Sequence, residues 1–160
     1  MGVLATLEKL RGFRVTEKHI KDGLQHVVRN TGLQGRWQVI GERPTVILDT
    51  AHNTEGLTLV LEQLRQLPHA DFHFVLGFVK DKNLDGILPL FPKHARYYFS
   101  KADIPRGLDA RILADKAHGF GLKGQVYPSV AGALQAARAL ASENDVIFVG
   151  GSTFTVADAL

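Results

Sequence analysis

From Gly35 onward the chain alternates between short apolar runs and stretches in which apolar residues recur every three or four positions. The runs Trp37–Ile40, Thr45–Asp49, Phe72–Gly77, Tyr97–Ser100, Gly124–Tyr127 and Val146–Val149 predict strands. Leu57, Val60, Leu61, Leu64 and Leu67 predict one amphipathic helix, and Val130, Ala133, Leu134, Ala137 and Ala141 another. Weaker helical patterns span Asn83–Leu90 and Leu108–His118, and a last helix begins after Ser152. Before Gly35 the texture differs. Leu4, Leu7 and Leu10 have helical spacing ahead of Gly12. Thr16 suits an N-cap, with Ile20, Leu24, Val27 and Val28 on one face until Asn30-Thr31-Gly32 breaks the pattern. Residues 1–34 therefore read as a helical lead-in without strands, and residues 35–160 as the main domain.

Continuous apolar strands interleaved with amphipathic helices specify an α/β fold whose sheet is covered on both faces. The expected architecture is a Rossmann-like three-layer sandwich with a mainly parallel sheet of about six strands. The first two strands are the exception. Only Gly41-Glu42-Arg43-Pro44 joins them, too short for a parallel crossover, so they predict an antiparallel hairpin. With the turn centred on Glu42-Arg43, Arg36 lies opposite Asp49. That pairing is either an ordinary cross-strand ion pair or a cation set beside a carboxylate for a ligand.

Ligands of parallel sheets bind beyond the carboxyl ends of the strands. The residues to weigh are therefore Asp49–Thr54, Gly77–Lys82, Lys101–Arg106 and Gly150–Thr155.

Composition narrows the chemistry. The 160 residues, 45% hydrophobic and 22% charged, match one ordinary globular domain and exclude intrinsic disorder. Without cysteine there are no disulfides, iron–sulfur clusters or thiolate nucleophiles, which points to a cytoplasmic protein. Nineteen Lys and Arg against sixteen Asp and Glu leave a net charge of +3. The basic residues alternate with acidic ones, as in Glu17, Lys18, Lys21 and Asp22, so nucleic-acid binding is not expected. No stretch approaches the ~18 apolar residues of a membrane span.

Gly119-Phe120-Gly121-Leu122-Lys123-Gly124 matches a dinucleotide-binding glycine pattern, but it follows a helix and precedes a strand. Phosphate binding needs the reverse order, so the stretch reads as a helix stop. His69, Asp71 and His73 are close in sequence yet share no helix face, and no metal site is expected from them. Asp49-Thr50-Ala51-His52-Asn53-Thr54 is richer. It packs a carboxylate, an imidazole and a capping amide into one strand-to-helix turn. Taken singly, these residues suit a plain capping turn with His52 exposed.

Together, Gly35-Arg36 and the run Val46–Asn53 resemble the GR…DGAHNP signature of folylpolyglutamate and dihydrofolate synthases, ATP-dependent ligases of the Mur superfamily. Gly77–Asn83 resembles their FGxxxDKD loop. Ser100–Arg106 resembles the loop ending in Pro-Arg, and Asp145–Ser152 the terminal DxxxxxGS. Three positions depart from the pattern: Thr50 for glycine, Thr54 for proline and Asn83 for an acidic residue. A threonine at position 50 disfavours φ > 0.

The resemblance implies a Mur-ligase-type C-terminal domain over residues 35–160, with residues 1–34 the tail of an ATPase domain. It implies ATP and Mg²⁺ as cofactors, the metal held mainly by that other domain. The implied partners are ATP, glutamate and folate or dihydropteroate, and the expected state is a monomer. Carried over by position, Arg36 and Asp49 would bind ATP, with Asp49 on the ribose hydroxyls, and His52 would stand near the reacting groups. Lys82 and Ser152 would contact glutamate or the nucleotide. Alternatively Lys82 is merely solvated and Ser152 merely caps the last helix. A stand-alone Rossmann-like binding module without catalysis is the rival reading. A small hydrolase built on Asp49 and His52 lacks a nucleophile elbow or metal cluster.

Overall fold

Phe72–Leu76 is buried along its whole length, which requires a sheet covered on both faces. The computed structural model describes Thr6 and residues 14–160, and the chain divides into two compact units, Met1–Gln34 and Gly35–Leu160. In the second unit the strands are β1 (Gln38–Glu42), β2 (Thr45–Asp49), β3 (Phe72–Leu76), β4 (Arg96–Phe99), β5 (Gly124–Val126) and β6 (Val146–Gly150). They form one sheet in the order β1-β2-β6-β3-β4-β5, with β1 antiparallel to β2 and every other neighbour pair parallel.

The first unit holds α1 (Glu17–Gln25) and α2 (Val27–Thr31). Thr16 caps α1: its Oγ1 accepts the His19 N–H at 3.3 Å, and the His19 ring accepts the Thr16 N–H in return. The single helix face expected through Val28 is interrupted at His26, whose backbone leaves the helical region. The His26 N–H still donates to the Asp22 carbonyl at 3.0 Å and the ring Nδ1 adds a second bond to it at 2.8 Å; a second short helix follows, stopped by Gly32. The helix expected from Leu4, Leu7 and Leu10 lies outside the described residues.

In the main unit the helices are α3 (Thr54–Arg65), α4 (Leu84–Ile87), α5 (Ala110–Gly119), α6 (Val130–Leu140) and α7 (Thr153–Ala157). Alternate strand residues feed opposite layers. Ile47, Phe74, Leu76, Tyr97, Phe99 and Phe148 pack with Leu57, Leu61 and Leu64 of α3 and Leu113 of α5. Val46, Leu48, Val75, Tyr98, Ile147 and Val149 pack with Val130, Ala133, Leu134 and Ala137 of α6 and Val156 of α7. The expected three-layer α/β sandwich with its antiparallel first pair is therefore the fold. The Asn83–Leu90 pattern splits into α4 and a 3₁₀ turn over Leu88–Leu90, where Pro89 lacks a helical N–H. The glycine stretch is a helix stop: α5 ends at Gly119, and β5 begins at Gly124.

The hairpin register differs from expectation. The turn centres on Arg43-Pro44, whose peptide bond is cis, so Glu42 pairs with Thr45. Ile40 is then an extra residue in β1, because Gly41 pairs with Val46 but Val39 with Ile47. Continuing that register brings Trp37, not Arg36, opposite Asp49. A bulge in an edge strand leaves no mark in the apolar pattern.

Among the described residues, His73 joins no group that could hold a metal ion. It is fully buried on β3, with Nδ1 2.8 Å from the Tyr98 hydroxyl and Nε2 3.3 Å from Asp145 Oδ2. The carboxylate accepts from Nε2–H, which leaves Nδ1 to accept the tyrosine proton. His69 stands exposed, its ring against Phe72. Among the described residues, no helix is long and apolar enough to cross a membrane.

Candidate active-site cleft at the carboxyl rim

The turns that leave β2, β3, β4 and β6 meet at one end of the sheet. A cleft of about 180 Å³ opens there, lined by His52, Val79, Lys82, Arg106, Ser152, Thr153 and Phe154. Three of the expected site residues, His52, Lys82 and Ser152, thus converge from positions 30 to 100 residues apart. A wider hollow of about 490 Å³ lies at the opposite rim, around Glu42, His69 and Glu143, away from those loops.

Each of the three is held by its own turn. Asn53 caps α3 by accepting the Gly56 N–H at 2.9 Å, which sets His52 just ahead of the helix. The His52 Nδ1–H donates to the Thr50 carbonyl at 3.0 Å, so the neutral ring keeps Nε2 as an acceptor. Thr50 itself has no positive φ, and threonine fits where the resembled pattern has glycine.

Ser152 caps α7 by accepting the Thr155 N–H at 3.0 Å. The Thr155 hydroxyl donates to the Gly77 carbonyl at 2.8 Å, so the 2.7 Å contact between the two hydroxyls is a donation from Ser152 to Thr155. The serine proton is therefore spent, and its remaining capacity is as an acceptor. Gly151 makes this turn possible. Its φ is 99°, and a Cβ there would lie 2.7 Å from the Gly77 carbonyl oxygen.

Lys82 is half-buried and stands on a loop laced to the one after β4. The Lys80 N–H donates to the Arg106 carbonyl at 3.0 Å, and Leu108 N–H to Phe78 O at 2.9 Å. The Lys80 ammonium donates to the Pro105 carbonyl at 2.9 Å. Arg106 places its guanidinium 5.7 Å from the centre of the Phe154 ring and 3.5 Å from Asp81 Oδ1. Both partners of that ion pair are largely exposed, so it stabilises the fold little. The cleft thus combines two cations, an imidazole acceptor and a hydroxyl acceptor, a set suited to a ligand bearing carboxylates and an amine.

Arg36 and Asp49 do not line this cleft and form no ion pair. Arg36 is exposed. Asp49 is 6% exposed, and both its oxygens are engaged, Oδ2 by Trp37 N–H and Oδ1 by Ala51 N–H, each at 2.8 Å. Asp49 pairs in register with Gly150, at the start of the turn that carries Ser152. Arg106 and Phe154 fall in the rim segments Lys101–Arg106 and Gly150–Thr155, but the sequence assigns neither a role. The Pro105-Arg106 pair after β4 is the signal for the first; no local pattern distinguishes the phenylalanine from its neighbours. Among the described residues, no group of three or more His, Asp or Glu could hold a metal ion.

Residues 35–153 match the model of the Mur ligase glutamate ligase domain. The chain belongs to the Mur ligase family. Its glutamate ligase domain is similar to the dihydrofolate synthase/folylpolyglutamate synthase of Escherichia coli, 32% identical over 148 residues that make up 91% of this chain and 33% of that protein. The structure of E. coli FolC with DHPP and ADP superposes with a TM-score of 0.79 at 32% identity, covering 91% of this chain and 34% of the other. A bifunctional folylpolyglutamate synthase/dihydrofolate synthase with Mn, AMPPNP and L-glutamate bound gives 0.79 at 29% identity, covering 96% and 36%. The chain spans about a third of the length of these proteins.

Proposed function

We propose that this chain is the glutamate-binding, nucleotide-closing portion of an ATP-dependent ligase that joins glutamate to a folate or dihydropteroate carboxylate through an acyl phosphate. The observation that carries the reading is the convergence of His52, Lys82, Arg106 and Ser152, from four separate turns, on one cleft at the carboxyl rim. Its small volume suits an amino acid rather than a whole nucleotide. In this reading residues 1–34 lead from an ATPase domain into the ligase domain, and the enzyme works as a cytoplasmic monomer.

The chemistry divides into two displacements. A carboxylate oxygen takes the γ-phosphoryl group of ATP and ADP leaves. The glutamate nitrogen then attacks the acyl carbon and inorganic phosphate leaves. Lys82 and Arg106 hold the carboxylates of glutamate. The Ser152 hydroxyl, whose proton is committed to Thr155, accepts an N–H from the incoming amine. His52 Nε2 takes the proton that the attacking nitrogen sheds. Arg36 reaches the phosphates of ATP. When bound, Mg²⁺ would neutralise phosphate charge.

The test is a chimaera in which residues 35–160 replace the matching segment of the E. coli relative. Glutamate-dependent ADP release with dihydropteroate, together with the amide product, is the expected result. His52→Ala should lower the rate about 10²-fold or more. A folded chimaera that binds ATP but makes no glutamyl amide would favour a binding module without catalysis.

A further inference from the structure

We propose that Asp49 is a positioning residue for Arg36: its carboxylate holds the Gly35–Trp37 turn in a left-handed form that fixes where the guanidinium leaves the domain. The link to nucleotide binding rests on the ligase reading above; the positioning itself does not.

Trp37, with φ 45°, is the only non-glycine residue with positive φ among the described residues. Bulky side chains disfavour that region, and it persists only where the surroundings impose it. Gly35 also has positive φ, at 69°, so Arg36 is bracketed by two left-handed residues. The bonds that impose this geometry run to Asp49 at the end of β2, to Thr50 just after it and to Gln38 at the start of β1. Trp37 N–H donates to Asp49 Oδ2 at 2.8 Å, Thr50 N–H to the Gly35 carbonyl at 2.8 Å, and Gly35 N–H to Gln38 Oε1 at 2.7 Å. The other Asp49 oxygen takes Ala51 N–H, so one carboxylate ties the Arg36 turn to the turn carrying His52.

Asp49 is buried while Arg36 is exposed, which separates the anchor from the group it aims. An ionised acceptor makes a stronger bond to an N–H than a neutral one. The carboxamide of Asp49→Asn has the same shape, but its NH₂ must face one of the two N–H donors, so one bond is lost. If Asp49 imposes the left-handed turn, a residue that adopts it freely needs Asp49 less. Glycine is that residue.

The experiment is a double-mutant cycle on the 160-residue chain with Asp49→Asn, Trp37→Gly and the pair, read by urea midpoint and by ¹⁵N order parameters at Arg36 and Trp37. The proposal expects Asp49→Asn to lower the midpoint and the order at both amides. It also expects the midpoint loss to shrink by at least half when Trp37 is already glycine. Equal losses in both backgrounds, or unchanged order at Arg36, would overturn it. A second cycle measures AMPPNP affinity for Arg36→Ala, Asp49→Asn and the pair in the chimaera. A pair no weaker than Arg36→Ala alone supports action through Arg36, and fully multiplicative losses overturn it. A chimaera that binds no AMPPNP speaks against the ligase reading, and the stability cycle still decides the positioning.

Discussion

Thr155 fastens the last helix to the end of the central strands through Gly77: its hydroxyl donates to the Gly77 carbonyl at 2.8 Å while accepting the Ser152 hydroxyl at 2.7 Å. One side chain thereby couples the turn after β6 to the turn after β3. Both turns contribute to the cleft, through Ser152 and Val79.

Thr155→Val keeps the shape and removes both roles of the hydroxyl. It leaves the Gly77 carbonyl without its side-chain donor in a fully buried place, at a cost of about 1–3 kcal/mol in denaturant unfolding. The freed Ser152 proton also changes the cleft from acceptor to donor. Affinity for L-glutamate in the chimaera should fall, which calorimetry would read.

His73 sets a pH dependence. Burial holds its pKa below the usual 6.5, against the opposing pull of Asp145 and Asp71, with Arg96 reinforcing the lowering. The unfolded chain therefore binds a proton before the folded one. This contribution is whole above about pH 6.5 and is lost as pH falls towards the lower folded value. Asp145 acts in the same direction at lower pH. Burial raises its pKa, but the Ser142 and Asp71 N–H groups and His73 outweigh that and lower it overall. Urea titrations between pH 7 and 5 should show a slope that shrinks in His73→Gln by up to about 1.4 kcal/mol per pH unit.

Gly35→Ala should be among the most damaging single changes. The position has φ 69°, and a Cβ there would sit 2.8 Å from Val156 Cγ1 and 2.9 Å from Thr50 Cγ2. Backbone strain and overpacking add, so a loss of about 2–4 kcal/mol is expected by thermal or urea unfolding. Gly23→Ala, where nothing lies within 4 Å, is the control and should cost nothing.

Lys82→Ala and Arg106→Ala should each weaken L-glutamate binding about tenfold or more in the chimaera while leaving the unfolding midpoint nearly unchanged. Lys101→Ala, whose side chain lies outside the cleft, should leave glutamate binding intact. Equal loss in all three variants would indicate a general field effect rather than contacts.

Much of this was legible because apolar periodicity reports burial. Val146–Val149 reads as a strand for the same reason that β6 is buried throughout. The turns carrying His52 and Ser152 could be located because parallel sheets present their functional loops at one rim. What escaped depends on single residues. The Ile40 bulge and the turn at Arg43-Pro44 move Arg36 off Asp49 without altering any hydrophobic pattern. Arg106 enters the cleft because Val79 and Gly107 bridge two loops whose nearness no local sequence records.

Strand β6 lies between β2 and β3 and pairs with both along its whole length. Residues 146–150 leave the ribosome after every other strand of this sheet, yet they are its keystone. Until they arrive, the β1–β2 ribbon and the β3–β4–β5 ladder are two pieces with open edges, so the domain assembles only once it is nearly all translated.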